Sequence, residues 1–263
     1  MRRRLPLVLG AVGAVALAVV GVRAFLGLPG AGEVPHPYAA RAVAAAYAHT
    51  TPNAVVSVTL DQRGFDTLGE EFVLLAAAIG TVLLLRRLAE EAHEDRPHDY
   101  GPEDVFEAVR LVGALLLPAA LLVGGYVVLH GHLSPGGGFQ GGTVLASGLY
   151  LAYLAADYRT LERLGPPGVL DTAEGVGALG YAAVGFAGLI GGSAYLANDL
   201  PHGVWNSLLS AGTVPVLNVA IGLEVGAAFV LVVAKFLEQA LLVPREDGDD
   251  GGDRDATAGE GEH

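Results

Sequence analysis

Apolar runs alternate with short polar breaks along most of the chain, and six of the runs can cross a ~30 Å hydrocarbon layer as helices of ~20 residues. Leu5 to Val22 is uncharged, and its helix is predicted to continue to Leu28. Phe72 to Leu85 is short alone and reaches span length only when extended outward through Glu71, Glu70 and Asp66. Leu111 to Leu129, Gly136 to Ala156 and Val176 to Ala197 contain no Asp, Glu, Lys or Arg. Val214 to Ala234 contains one such residue, Glu224, near its middle. The pattern predicts an all-α integral membrane protein with about six transmembrane helices. Arg2, Arg3 and Arg4 before an apolar run also fit a secretory signal, but this run exceeds the ~7 to 15 residues of such a segment and lacks a closing small-x-small site. A retained helix is therefore expected.

The polar breaks set the orientation. With the N-terminus in the cytoplasm, twelve Lys and Arg fall on the inner side, and three, Arg23, Arg41 and Arg63, on the outer. Positive charge marks the cytoplasmic face, so both termini are expected inside. Pro29 to Gly64 is a long outer connection with an Ala-rich helical stretch, Ala39 to Ala48, and a β-branched run from Asn53 to Leu60 that lies on the membrane or partly re-enters it. The charged stretch Arg86 to Glu107 separates an N-terminal two-helix segment, residues 1–96, from a four-helix domain, residues 97–242. Residues 243–263 are Gly, Asp and Glu with almost no apolar content, a composition that predicts disorder.

Composition adds a constraint. A net charge of -13 and a mean hydropathy of +0.48 coexist only if charge is segregated. Eight acids against three bases lie in 86–107 and eight against two in 243–263, so eleven of the thirteen excess charges are in the linker and the tail. The helical body is nearly neutral, and its few deep carboxylates stand out. An acidic balance argues against nucleic-acid binding. The absence of cysteine excludes disulfides, thiolate metal sites and cysteine nucleophiles.

Two motifs carry chemistry. In RGFDTLGEE, Arg63 to Glu71, the acids Asp66 and Glu70 are four apart and share a helix face. Helix-dipole and capping chemistry accounts for Asp66 and Glu71. It accounts less well for Glu70, which the extended span draws into the membrane, where a carboxylate needs a partner or a wet cavity. The second motif, GHLSPGGGFQGG, comprises Gly131, His132, Ser134, Pro135, Gly136, Gly137, Gly138, Phe139, Gln140, Gly141 and Gly142 around Leu133. Its six glycines permit positive φ and close backbone approach to another helix. A phosphate loop would need Lys and Ser or Thr after the glycines, which are missing. A hydrolase using Ser134 with His130 or His132 would need an orienting acid, and none is nearby. His130 and His132, two apart, would face apart on a helix, so no metal site is expected.

GHLSPGGGFQGG, with LLVGGYVVLH before it, resembles the signature of the B subunit of Mrp/Mnh multisubunit cation/proton antiporters. NSLLSAGTVPVLNVAIGLEVG, Asn206 to Gly226, is similar to the last helix of that family, and Asn53 to Gly80 resembles the C-terminal end of the large Mrp A protein. The resemblance implies a membrane subunit of a complex exchanging protons for sodium or another monovalent cation in the cell membrane. Its partners would be the other subunits and the bilayer, and it would have no enzymatic centre and no cofactor. Relatives in energy-converting hydrogenases and complex I-like pumps, and a purely assembling role, are the alternatives it leaves.

Glu224 stands apart from the resemblance. An ionised carboxylate mid-span costs roughly 2.5 to 3.5 kcal/mol on insertion scales, so it must face the bundle, water or a partner. With Glu70 and Asp66 it makes the set of ion-path candidates. Asn218 is expected to bond between helices, Pro215 to occupy a first turn, Pro118 to disturb the third span, and Lys235 to anchor orientation. Asp199 and His202 are expected in a solvated loop beside an interfacial Trp205.

Overall fold

The computed structural model describes residues 4–27, 37–85 and 106–240. The linker at 86–105, the residues beyond 240 and Arg2 and Arg3 lie outside them, and with these the expected disordered tail. The chain forms two compact units that part between Arg41 and Ala42. In the first, Arg4–Leu26 is one helix, α1. Its apolar side chains from Val12 to Leu26 are exposed where described.

The regular elements of the second unit are all helical among its described residues. After α2 (Pro37–Ala48) come a single turn, α3 (Ala54–Val56), and a π-helical segment (Ser57–Gln62). Then follow α4 (Gly64–Leu84), α5 (Glu107–Leu129), α6 (Gly138–Ala155), the short α7 (Tyr158–Leu164), α8 (Pro167–Ile190) and α9 (Val214–Ala240). Four of these, α4, α5, α8 and α9, are long and apolar enough to cross a membrane. The protein is thus an all-α, multi-pass membrane protein.

The core is built around α9, which packs against α4, α5, α6 and α8. Val214, Leu217 and Val225 on α9 are fully enclosed by Val56, Leu60, Leu68 and Tyr181. Toward its far end, Val230 and Leu231 meet Ala146 of α6, Leu161 of α7 and Leu170 of α8. By contrast α5 leans mainly on α6 and exposes most of its apolar side chains, as a lipid-facing helix does.

One expected span needs correcting, and one loop residue is less solvated than expected. The span expected at Val176 to Ala197 begins instead at Pro167 and ends at Ile190. Pro166 and Pro167 suit a helix start, and Gly192 at φ +84° ends it. Apolar residues past that point fold back onto the helix: Leu196 N–H donates to Gly185 O, and Tyr195 sits edge-on to Phe186 at 5.5 Å. In the loop holding Asp199 and His202, Asp199 is exposed as expected, whereas His202 is half-buried against the segment that follows α2. His202 stacks on His49 at 4.4 Å, Trp205 on Tyr47 at 4.8 Å, and the Thr50 hydroxyl donates to His202 O. The β-branched run 53–60 is helical. Ser57, Val56 and Leu60 are buried, and the Asn53 side chain caps the first turn by accepting from Val55 and Val56 N–H.

Candidate ion-path site

The glycine-rich motif forms the turn between α5 and α6 and the first turn of α6. Gly136 and Gly137 take φ values of +152° and +148°, which L side chains rarely adopt. Asn53 reaches across to this turn, donating from Nδ2 to Gly131 O at 2.7 Å and Ser134 O at 2.8 Å, while its N–H donates to His132 O. On the other side Asn218 of α9 accepts from Gly138 N–H at 2.9 Å, capping α6 from a neighbouring helix. One turn further along, Gly142 meets Gly222 and Gly226 of α9, and Gly141 meets Gly124 of α5. A Cβ at Gly141 would lie 2.7 Å from Gly124 O, and one at Gly142 3.0 Å from Gly222 O and Gly226 N.

Between this turn and α4 lies a cavity of about 270 Å³. Its polar lining is Thr59, Thr67, Glu70, Gln140 and Asn218, with the backbone of Gly136 to Gly138. Glu70 therefore borders a cavity that the glycine motif walls on its other side. Asp66 does not: it is exposed in the first turn of α4, paired with Arg63.

Glu71 departs from the dipole reading. Because α4 starts at Gly64, Glu71 is in the third turn and points inward, 2% exposed. It faces Glu224, 0% exposed, closely enough for the two carboxyl groups to act on each other. No oxygen of either group has a hydrogen-bond partner outside the pair. Tyr181 lies near Glu71 and donates its hydroxyl to Gly64 O at 2.8 Å, tying α8 to the start of α4. A further carboxylate, Glu174 of α8, is 5% exposed, has one oxygen without a partner and feels the charge of Glu224.

These acids step across the bundle. At 1.5 Å per residue, Glu71 lies about 10 Å from the start of α4, Glu224 about 15 Å from the start of α9, and Glu174 about 10 Å from the start of α8, which runs the opposite way. Sequence reasoning misses Glu71 and Glu174 as site residues. Helical phase relative to Gly64 is the signal for the first, and the presence of an acid inside the true start of α8 for the second.

Outside the spans, Asp157 caps α7 by accepting from Thr160 N–H at 2.7 Å, which with nearby Arg163 and Arg159 holds its carboxyl below the usual range. Ser134 directs its hydroxyl to His130 O rather than to an imidazole, so the serine-hydrolase arrangement is not formed.

A family model described as a domain related to the MnhB subunit of Na+/H+ antiporter matches residues 108–231. An uncharacterised protein of Methanocaldococcus jannaschii is 32% identical over 74% of this chain and 82% of its own length. A probable K+/H+ antiporter protein of Rhizobium meliloti, described as an A/B subunit, is 27% identical over 73% of this chain, which spans only 21% of that protein. Among solved structures, a chain of the membrane-bound sulfane sulfur reductase, an archaeal respiratory membrane complex, superimposes with a TM-score of 0.68 at 27% identity. That match covers 90% of this chain and 99% of the other. On the family model and the archaeal relative, the chain belongs to the family of domains related to the MnhB subunit of Na+/H+ antiporters.

Proposed function

We propose that this chain is a membrane subunit of a multisubunit monovalent cation/proton antiporter in the cell membrane, with both termini cytoplasmic and no enzymatic activity of its own. Its partners are the other subunits of that complex. Within it, Glu71, Glu224 and Glu174 carry protons along the bundle, and the cavity at Glu70 gives access from the outer side. The observation that supports this most is the facing pair Glu71 and Glu224. Two carboxylates enclosed together without other partners cannot both stay ionised, because like charges at close range in a low-dielectric interior repel strongly. Such a pair holds a proton that a cation can replace.

The test is cation-driven proton movement in vesicles carrying the assembled complex. Glu71→Gln and Glu224→Gln keep shape and hydrogen bonding but remove titration, and each is expected to abolish transport while assembly persists. Normal transport from both variants would overturn the role of the pair and favour a chain that only assembles the complex. A second reading, a membrane subunit of a redox-driven respiratory pump, is favoured by the near-complete overlay on the sulfane sulfur reductase chain. It uses the same carboxylates, and purification with identification of the partner chains separates the two.

A further inference from the structure

The carboxylate row starts inside the bundle, so protons need a way to it from the outer loops. His132 stands at that entrance. It is fully buried, and its ring nitrogens approach the backbone of the loop before α9 without closing a well-aligned hydrogen bond. It belongs to the turn between α5 and α6, where its own carbonyl accepts from Asn53 N–H at 3.0 Å. Its ring faces the backbone of Ser207 and Leu208 in the loop before α9. The same loop is closed by Ser210, whose N–H donates to Ser207 O and whose buried hydroxyl has no partner. On the inner side, the residue before it, Gly131, abuts the Nδ2 of Asn218, also buried and unpartnered. Asn218 lines the cavity that Glu70 borders.

Four polar atoms enclosed without well-aligned partners are costly unless they share solvent, and a buried water typically makes two to four hydrogen bonds. Ser210 Oγ belongs to the loop whose backbone the imidazole approaches, and Asn218 Nδ2 abuts the residue before His132, so each can supply such a partner.

We infer that His132 is a proton-relay residue, passing protons through flanking waters between the outer loop 207–210 and the cavity at Asn218 and Glu70. The bare ring nitrogen accepts a proton from a water on one side, forming an imidazolium. The other nitrogen releases its proton to a water on the opposite side, so the ring ends neutral and one proton has crossed. Burial lowers the affinity of His132 for a second proton, with His130 the neighbouring titratable group that adds to the effect, so the ring rests neutral between transfers. The inference rests on the transport reading above.

The experiment uses the assembled complex in vesicles, with proton movement started by sodium or potassium chloride and followed with a pH-sensitive dye. His132→Gln, which hydrogen-bonds but does not titrate, is expected to slow proton movement at least tenfold without loss of assembly. His132→Ala is expected to be as slow and to regain speed on addition of imidazole, which a merely structural role would not allow. Wild-type rates from His132→Gln, or no response of His132→Ala to imidazole, would overturn the inference. Should neither variant assemble, Ser210→Ala decides: slowed movement supports the relay and an unchanged rate overturns it. Loss of transport in Glu224→Gln beside a normal His132→Gln removes the relay alone, whereas normal transport in Glu71→Gln and Glu224→Gln removes the carboxylate reading itself.

Discussion

Asn218 shows how much one amide does in this bundle. Its Oδ1 satisfies a backbone N–H at the start of α6 that no residue of α6 caps, and Leu217 and Ile221, on either side of it along α9, lie in the core. Asn218→Ala leaves that buried donor alone, and an orphaned buried donor costs about 1 to 3 kcal/mol. The thermal unfolding midpoint of the purified protein in detergent should fall accordingly, and an unchanged midpoint would mean that another group takes over the cap. The residue level is also where the sequence is least legible. Depth alone singles out Glu224, because a charge in an uncharged span is visible by inspection. Between Glu70 and Glu71 depth does not discriminate; the difference is one of rotation about α4, and that depends on where the helix starts. Gly64 sets that start, and apolar runs do not reveal it.

At the level of elements, α6 is held by close crossings rather than by large side chains. Gly124 and Gly125 of α5 make a matched pair for testing this. A Cβ at Gly124 would press on Leu145 and Gly141 O, at 2.7 and 3.0 Å, while one at Gly125 meets nothing within 4 Å. Gly124→Val is therefore expected to separate α5 from α6 and lower the yield of folded protein in detergent, whereas Gly125→Ala is tolerated. Equal yields would show that α5 can slide without loss. Hydropathy finds most of these helices because it measures what lipid and core have in common. It misplaces α8 because the run after Gly191 is apolar for a different reason: it folds back on the end of α8 instead of continuing the helix. It passes over α7 altogether, since Tyr158–Leu164 carries three charges and buries only Leu161.

For the whole molecule, orientation rests on the distribution of arginine, and the chain offers a direct check because it contains no cysteine. Single cysteines at Asp199, in the loop before α9, and at Arg159, in α7, lie at opposite ends of the bundle. With the termini cytoplasmic, a membrane-impermeant thiol reagent added to intact cells should label the first, and the second only after permeabilisation. The reverse pattern would invert the topology and with it the side from which protons enter.

Consecutive residues of an α-helix point about 100° apart. Glu70 and Glu71 thus divide one turn of α4 between two surroundings, the cavity and the enclosed contact with Glu224. The angular setting of α4 is fixed at its first turn, where Gly64 O accepts from Tyr181 and the Thr67 hydroxyl donates to Thr59 O at 2.8 Å. Those two bonds index the helix: turned by a single residue one way, it would bring Glu70 to Glu224 and carry Glu71 past it, and turned the other way it would bring Glu71 to the cavity and leave Glu224 without a facing acid.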